Sequence, residues 1–246
     1  MRHLNSTRAV TTIRTTSKAL VMGAFLCSSI LPAFAQEKPK PKAPEPTVPE
    51  VFTLMGQFVR VAYNNEGYVT LGYRTANASA GNEWMLLEIG LTVRKGVETE
   101  VLKRDAFSLQ TPDGKTLPLA TQQEYRTGEL RGMQRMADQL RDTISYFPGD
   151  VVRRCAVGFF SDPDSRNLTY DQVELNSQNG CLGRIYFRIP GGIKTGQHWL
   201  KVKFAKGEVQ VPFRILTKEE EKEFRKTWED LKEEHDDATK AKMKTK

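Results

Sequence analysis

The chain has 246 residues, a formal charge of +7, 39% hydrophobic and 27% charged residues, and only three cysteines and three histidines. Arg2, Arg8, Arg14 and Lys18 lie in the first 35 residues, which hold no acid, so beyond them the charge falls from +7 to +3. That balance argues against nucleic-acid binding, which needs Lys and Arg clustered on the binding domain itself. With Cys155, Cys181, His198 and His235 as the only thiols and imidazoles past residue 35, most metal and thiol chemistries are excluded as well.

Residues 1–35 read as a secretory signal. A basic start is followed by an apolar run from Ala19 to Ala33, closing on the small-x-small pattern Ala33-Phe34-Ala35. Ser28, Ser29 and Pro32 interrupt the run, which falls short of the roughly 20 residues a helix needs to cross a bilayer. The alternative is an N-terminal anchor that stays in place. Ala24, Phe25 and Leu26 make a poor lipobox before Cys27. The reading is an exported protein, periplasmic or extracellular, with no membrane span after cleavage.

Residues 36–50 hold Pro39, Pro41, Pro44, Pro46 and Pro49 among balanced Lys and Glu, a semi-rigid polyproline spacer. Residues 51–216 then form one domain of a size that buries about two-thirds of its unfolded surface. Residues 217–246 make a charged C-terminal helix and tail.

The domain reads as mainly β. Val51–Tyr63 and Tyr68–Arg74 flank Asn64-Asn65-Glu66-Gly67, a hairpin turn. Met85, Leu87, Ile89, Leu91 and Val93 alternate with Glu88, Thr92 and Arg94, so one face meets a core and the other water. Phe107 and Leu109 pair with Leu117 and Leu119 across Thr111-Pro112-Asp113-Gly114. Ile185, Phe187 and Ile189 run into Pro190-Gly191-Gly192. Leu200, Val202 and Phe204 turn at Lys206-Gly207 into Val209, Val211, Phe213 and Ile215. Seven or eight such strands predict an antiparallel β-sandwich. Pro212, lacking an amide donor, places the last strand at an edge or points that position outward.

Two helices are expected. One spans 121–146 from the capping box Thr121-Gln122-Gln123-Glu124, with Leu130, Met133, Ala137, Leu140 and Ile144 on one face and Arg131, Arg135, Asp138 and Asp142 on the other. The charged stripe is either a docking face or a solvated one laced with weak ion pairs. The second starts at Thr217-Lys218-Glu219-Glu220 and carries Phe224, Trp228 and Leu231 as a narrow apolar stripe. It either caps the sandwich or binds a partner; three residues are too few for a stable coiled coil.

In an oxidising compartment Cys155 and Cys181 pair. Their separation is unlike a CxxC redox motif, so the bridge is read as structural. Gly114-Lys115-Thr116 sits in a hairpin turn and lacks the earlier glycine of a phosphate loop. No cofactor motif is found. His198 falls in phase with Leu200 and Val202 on the inner face, and no serine or acid is marked as its partner. Asp162 and Asp164 are weak calcium candidates, since Arg166 stands where a calcium loop carries Asp or Asn. Asn77-Ala78-Ser79 and Asn167-Leu168-Thr169 match the glycosylation pattern.

Trp84–Val93 followed by Asp105–Leu119, a long alternating strand and then F-x-L-x-x-x-D-G-K-x-x-x-L, resembles the secreted immunoglobulin-like domains of unknown function in bacterial exported proteins and lipoproteins. The resemblance implies an immunoglobulin-like sandwich and a non-enzymatic envelope or extracellular module. It carries over no functional residue. The expectation is therefore an exported, non-catalytic module that binds a protein partner or envelope component, with Arg131, Arg135, Phe224, Trp228 and Leu231 as candidate contacts. A glycan- or polymer-binding module needs Tyr63, Tyr68, Tyr73 or Trp84 as a flat aromatic platform. A hydrolase needs His198.

Overall fold

The computed structural model describes residues 50–161 and 168–228. The signal, nearly all of the linker, Asp162, Asp164, Asn167, Leu231 and His235 lie outside them. Among the described residues the chain is mainly β. A six-stranded sheet runs in the order β1 (Glu50–Gly56), β2 (Val59–Tyr63), β3 (Gly67–Gly72), β4 (Trp84–Val93), β10 (Asn179–Arg188) and β8 (Arg153–Val157). It packs on a four-stranded sheet ordered β12 (Glu208–Ile215), β11 (Gly196–Lys203), β6 (Phe107–Gln110) and β7 (Thr116–Pro118). β5 (Glu100–Lys103) and β9 (Gln172–Leu175) pair separately. The pairings are antiparallel except β8 on β10, which is parallel.

The alternation read from the sequence builds the core between the two sheets. Met85, Leu87, Ile89 and Leu91 of β4 join Ile185 and Phe187 of β10 on one side. Leu109, Leu200, Val202, Val211 and Phe213 face them from the other. The Asn64 side chain accepts from the amides of Glu66 and Gly67, both at 2.8 Å, which fixes the β2–β3 turn. Pro212 lies on β12, an edge of its sheet, where a missing donor costs no ladder bond.

Three expectations are corrected. The stretch 51–63 is not one strand: it folds back at Gln57-Phe58 into β1 and β2, and the turn buries Phe58 in the core. The β3 strand ends at Gly72, and Arg74–Ala78 forms a short helix, α1. The twelve strands among the described residues exceed the seven or eight expected. The helix predicted over 121–146 is two, α2 (Gln122–Thr127) and α3 (Arg131–Gln139). The capping box at Thr121 and Glu124 is present. Gly128 is extended, and a Cβ there would meet the Trp84 ring at 3.0 Å. From Arg141 to Tyr146 the chain is not helical.

The solvent face expected on β4 is also covered. Leu86 of β4 and Tyr186 of β10 form a second core with Ala120, Tyr125, Leu130, Met133 and Ala137 of the helical segment. Further along the same face, the segment 144–147 crosses the sheet over a track of small residues. Added Cβ atoms would meet Ile144 at 2.9 Å from Gly72, Phe147 at 3.0 Å from Gly90 and Phe147 at 2.6 Å from Gly180. Thr70 donates to the Tyr146 carbonyl at 3.2 Å. The result is three layers: sheet, sheet, and a helical cover that leaves part of the outer face open.

The last helix, α4 (218–228 as described), keeps its predicted capping box, with the Thr217 amide donating to Glu220 at 2.9 Å and the Glu220 amide to Thr217 Oγ1 at 3.2 Å. Phe224 is half-buried and meets Phe58 edge-on, ring centroids 6.1 Å apart. No helix among the described residues is long and apolar enough to cross a membrane.

Candidate functional site

The part of the outer face that the helical cover leaves open is a groove of about 750 Å³ between α3 on one side and β8 and β10 on the other. Its floor is aromatic. Tyr125, Phe160 and Tyr186 pack as a triangle, with centroid separations of 5.1 Å, 4.8 Å and 5.0 Å. Gln134 of α3 donates to the Tyr125 hydroxyl at 2.7 Å. Phe160 is held from behind by Arg104, whose guanidinium lies 4.5 Å from its ring centroid. The same guanidinium donates to the carbonyls of Phe159, at 2.6 Å, and Ala120. Arg104 thereby ties the α2 entry to the loop that supplies the floor.

The rim is cationic. Arg131 and Arg135 project from α3, Arg141 follows it, and Arg184 rises from β10. Against these four guanidinium groups stand two carboxylates, Glu88 and Asp138. Arg184 donates to both, at 3.3 Å and 2.7 Å. Burial raises the Glu88 pKa, and the Arg184 guanidinium only partly offsets that. Arg135 and Arg141 make no ion pair among the described residues. Arg131 sits in the first turn of α3, which holds no acid.

The sequence-predicted residues fall as follows. Arg131 and Arg135 are exposed and line this groove. Phe224 packs on Phe58, and Trp228 is half-buried at the end of the described chain. Cys155 and Cys181 face each other across the parallel ladder and form a disulfide, which ties β8 to β10 and so fixes the groove's far wall. Of the four candidate platform aromatics, Tyr73 is in the core and Trp84 packs against the second core. Tyr63 and Tyr68 stack on each other at 4.6 Å. They do not share one surface. Asn77 is buried, and its Oδ1 accepts from the Leu216 amide at 2.7 Å. No cluster of three metal-ligating side chains occurs among the described residues.

His198 is fully buried and stacks on Phe213, its partner across the β11–β12 ladder. No serine lines the cavity beside it. The sequence reading missed Arg141, Arg184 and the aromatic floor, which come from four separate stretches. The one local signal was the Tyr186 position, out of phase with Ile185 and Phe187 and yet aromatic. Compared with known proteins, the chain matches no family model, no curated protein and no solved structure.

Proposed function

We propose that this chain is an exported, non-catalytic, immunoglobulin-like sandwich module, and that its arginine-rimmed groove binds an acidic segment of a protein partner. The observation that carries the reading is the ring of four guanidinium groups around an aromatic floor, with two carboxylates against them. Arginine suits this task because its planar fork holds a carboxylate through two parallel hydrogen bonds. The tyrosine and phenylalanine rings supply apolar contact area at small cost in side-chain entropy. The disulfide supports export, since such bridges persist in oxidising compartments. Two packed sheets, antiparallel apart from the β8–β10 pair, around a shared core support the immunoglobulin-like reading.

The test is fluorescence anisotropy of the full chain with a labelled Glu/Tyr-rich peptide and its Lys/Tyr counterpart. The acidic peptide should bind saturably and weaken with salt, as rim charges are screened over a Debye length of about 8 Å at physiological ionic strength. The double variant Arg135→Glu/Arg141→Glu should lose about tenfold in affinity, which is ~1.4 kcal/mol. Equal binding of both peptides, or binding unchanged in the variant, overturns the reading. Displacement by an anionic polysaccharide without any affinity for the acidic peptide transfers the groove to a polymer.

A further inference from the structure

The stretch that directly follows the described part of α4 is acidic. Residues 229–237 hold Glu229, Asp230, Glu233, Glu234, Asp236 and Asp237 against Lys232, so six acids less one base give a formal charge of −5. No other nine-residue stretch of the chain carries as many acids. Lys240, Lys242, Lys244 and Lys246 come after it, which confines the negative charge to this run.

The arginine-rimmed groove has the opposite sign, with four guanidinium groups against the two carboxylates of Glu88 and Asp138. Its cations are within reach of a ligand: Arg131, Arg135 and Arg141 are exposed, and Arg184 is half-buried. A guanidinium fork takes a carboxylate through two parallel hydrogen bonds, so each exposed arginine can hold one acid of such a run.

A continuous set of contacts leads from α4 to the groove's rim. The Asn77 amide of α1 donates to Glu221 at 3.4 Å, and Phe224 meets Phe58 with ring centroids 6.1 Å apart. Arg74 lies 4.7 Å over that Phe58 ring and donates to both carboxylate oxygens of Asp142, at 2.9 Å and 2.8 Å. Asp142 adjoins Arg141 on the rim. Trp228, the last described residue, is four residues beyond Phe224. From there nine residues of extended chain reach about 30 Å, roughly three helix diameters.

We propose that residues 229–237 dock in the arginine-rimmed groove of their own chain, with their carboxylates on Arg135 and Arg141, and keep it closed to an acidic partner until that partner displaces them. The inference rests on the reading of the groove as a site for acidic segments. The segment of the same chain is favoured over that of a second copy by its tether, since a short connection supplies an effective concentration of about 1 mM. For a segment with an intrinsic Kd of about 0.1 mM, that fills the groove about ten to one, and a competing peptide then binds about tenfold more weakly.

The experiment compares three full-length chains in anisotropy titrations of the labelled Glu/Tyr-rich peptide. One is the parent, and one carries Glu233→Gln/Glu234→Gln/Asp236→Asn/Asp237→Asn. The third carries Glu98→Gln/Asp150→Asn/Asp171→Asn/Glu174→Gln, four exposed acids outside the groove, and so changes net charge by the same amount. The 233–237 variant should bind the peptide about tenfold more tightly than the parent, and the third chain should stay within about twofold of it. Equal affinity in the parent and the 233–237 variant overturns the proposal and leaves the groove an acid-segment site. An equal gain in the third chain overturns it too, because net charge then explains the gain. A peptide that binds none of the three chains overturns the reading of the groove itself, and the docked segment with it. Sedimentation velocity should find the parent and the 233–237 variant in the same state of association. Association in the parent that the four substitutions abolish would seat the segment in a second copy and overturn docking within one chain.

Discussion

Gly183 on β10 lies across the parallel ladder from Val157 on β8, and a Cβ on it would stand 2.5 Å from the Val157 carbonyl oxygen. The obstacle is backbone, which cannot rotate away as a side-chain tip can. Gly183→Ala should therefore push β8 outward and destabilise the domain by about 1–3 kcal/mol, the usual range for overpacking. Urea denaturation checks this. Because both residues line the arginine-rimmed groove, the variant should also weaken binding of an acidic peptide there.

The disulfide acts on the same strand pair. Cys155 and Cys181 are 26 residues apart in sequence and face each other in register, with Cys181 fully buried. In the loop-entropy picture a bridge over such a loop contributes about 3 kcal/mol. Cys155→Ala/Cys181→Ala should lose an amount of that order in chemical denaturation. Adding a reductant should lower the stability of the parent chain and leave the double variant unchanged.

What could be read from the residues, and what could not, follows from how each signal is encoded. The inward faces of β4, β10, β11 and β12 are apolar at every second position save His198 on β11 and Gly183 on β10, so local periodicity is enough to find them. Thr70, Gly72, Gly90 and Thr92 look like a solvent face. They are small because the segment 144–147 lies on them or because, as with Thr92, the hydroxyl donates to a carbonyl, that of Asn176 at 3.2 Å. Covered small and polar residues cannot be told from wet ones without the cover. The β1–β2 turn was missed because it carries Gln57-Phe58 in place of Gly, Asn or Asp, and tertiary burial of Phe58 overrides turn chemistry. The groove was half legible. Arg131 and Arg135 share a helix face, whereas Arg184 and Phe160 reach it only through strand order and a loop.

Within that groove, Glu88 is 9% exposed at its side chain and Arg184 is 26% exposed. Arg184→Met removes the ion-paired partner at 3.3 Å and should cost about 1–3 kcal/mol at neutral pH, since it leaves a nearly buried carboxylate without its cation. Glu88 is already lifted above its ordinary 4.5 by burial. A raised carboxyl contributes stability that is full below 4.5 and is lost as pH rises through the folded value. The deficit of Arg184→Met should therefore shrink as pH falls toward 4.5, and Glu88→Gln/Arg184→Met should be less destabilised than the single variant. Thermal melts across that range decide it.

His198 works with the opposite sign. Burial lowers its pKa below the ordinary 6.5, against smaller opposing effects of the Gly196 carbonyl and Asp113. A depressed imidazole contributes stability that is full above 6.5 and is lost as pH falls through the folded value. The parent chain should lose stability on acidification below that point. In His198→Phe, whose ring can keep the stack on Phe213, the slope of stability against pH should flatten. A parent and variant with parallel profiles would assign the acid sensitivity elsewhere.

The final helix offers the clearest separation of two roles. Phe224 meets Phe58 at 6.1 Å, Phe58 meets Tyr73 at 5.4 Å, and Arg74 lies 4.7 Å over the Phe58 ring. The Asn77 amide is 3.4 Å from Glu221, so α4 touches the α1 end of the sandwich through both apolar and polar groups. An aromatic pair of this kind is worth about 0.5–1.5 kcal/mol beyond its buried area. Phe224→Ala should lower the melting temperature by a few degrees, at roughly 2–4 °C per kcal/mol for a domain of this size. If α4 serves only to cap the sandwich, Phe224→Ala will leave acidic-peptide affinity at the groove unchanged. A loss of that affinity together with stability would show that α4 and the groove are coupled through the sheet.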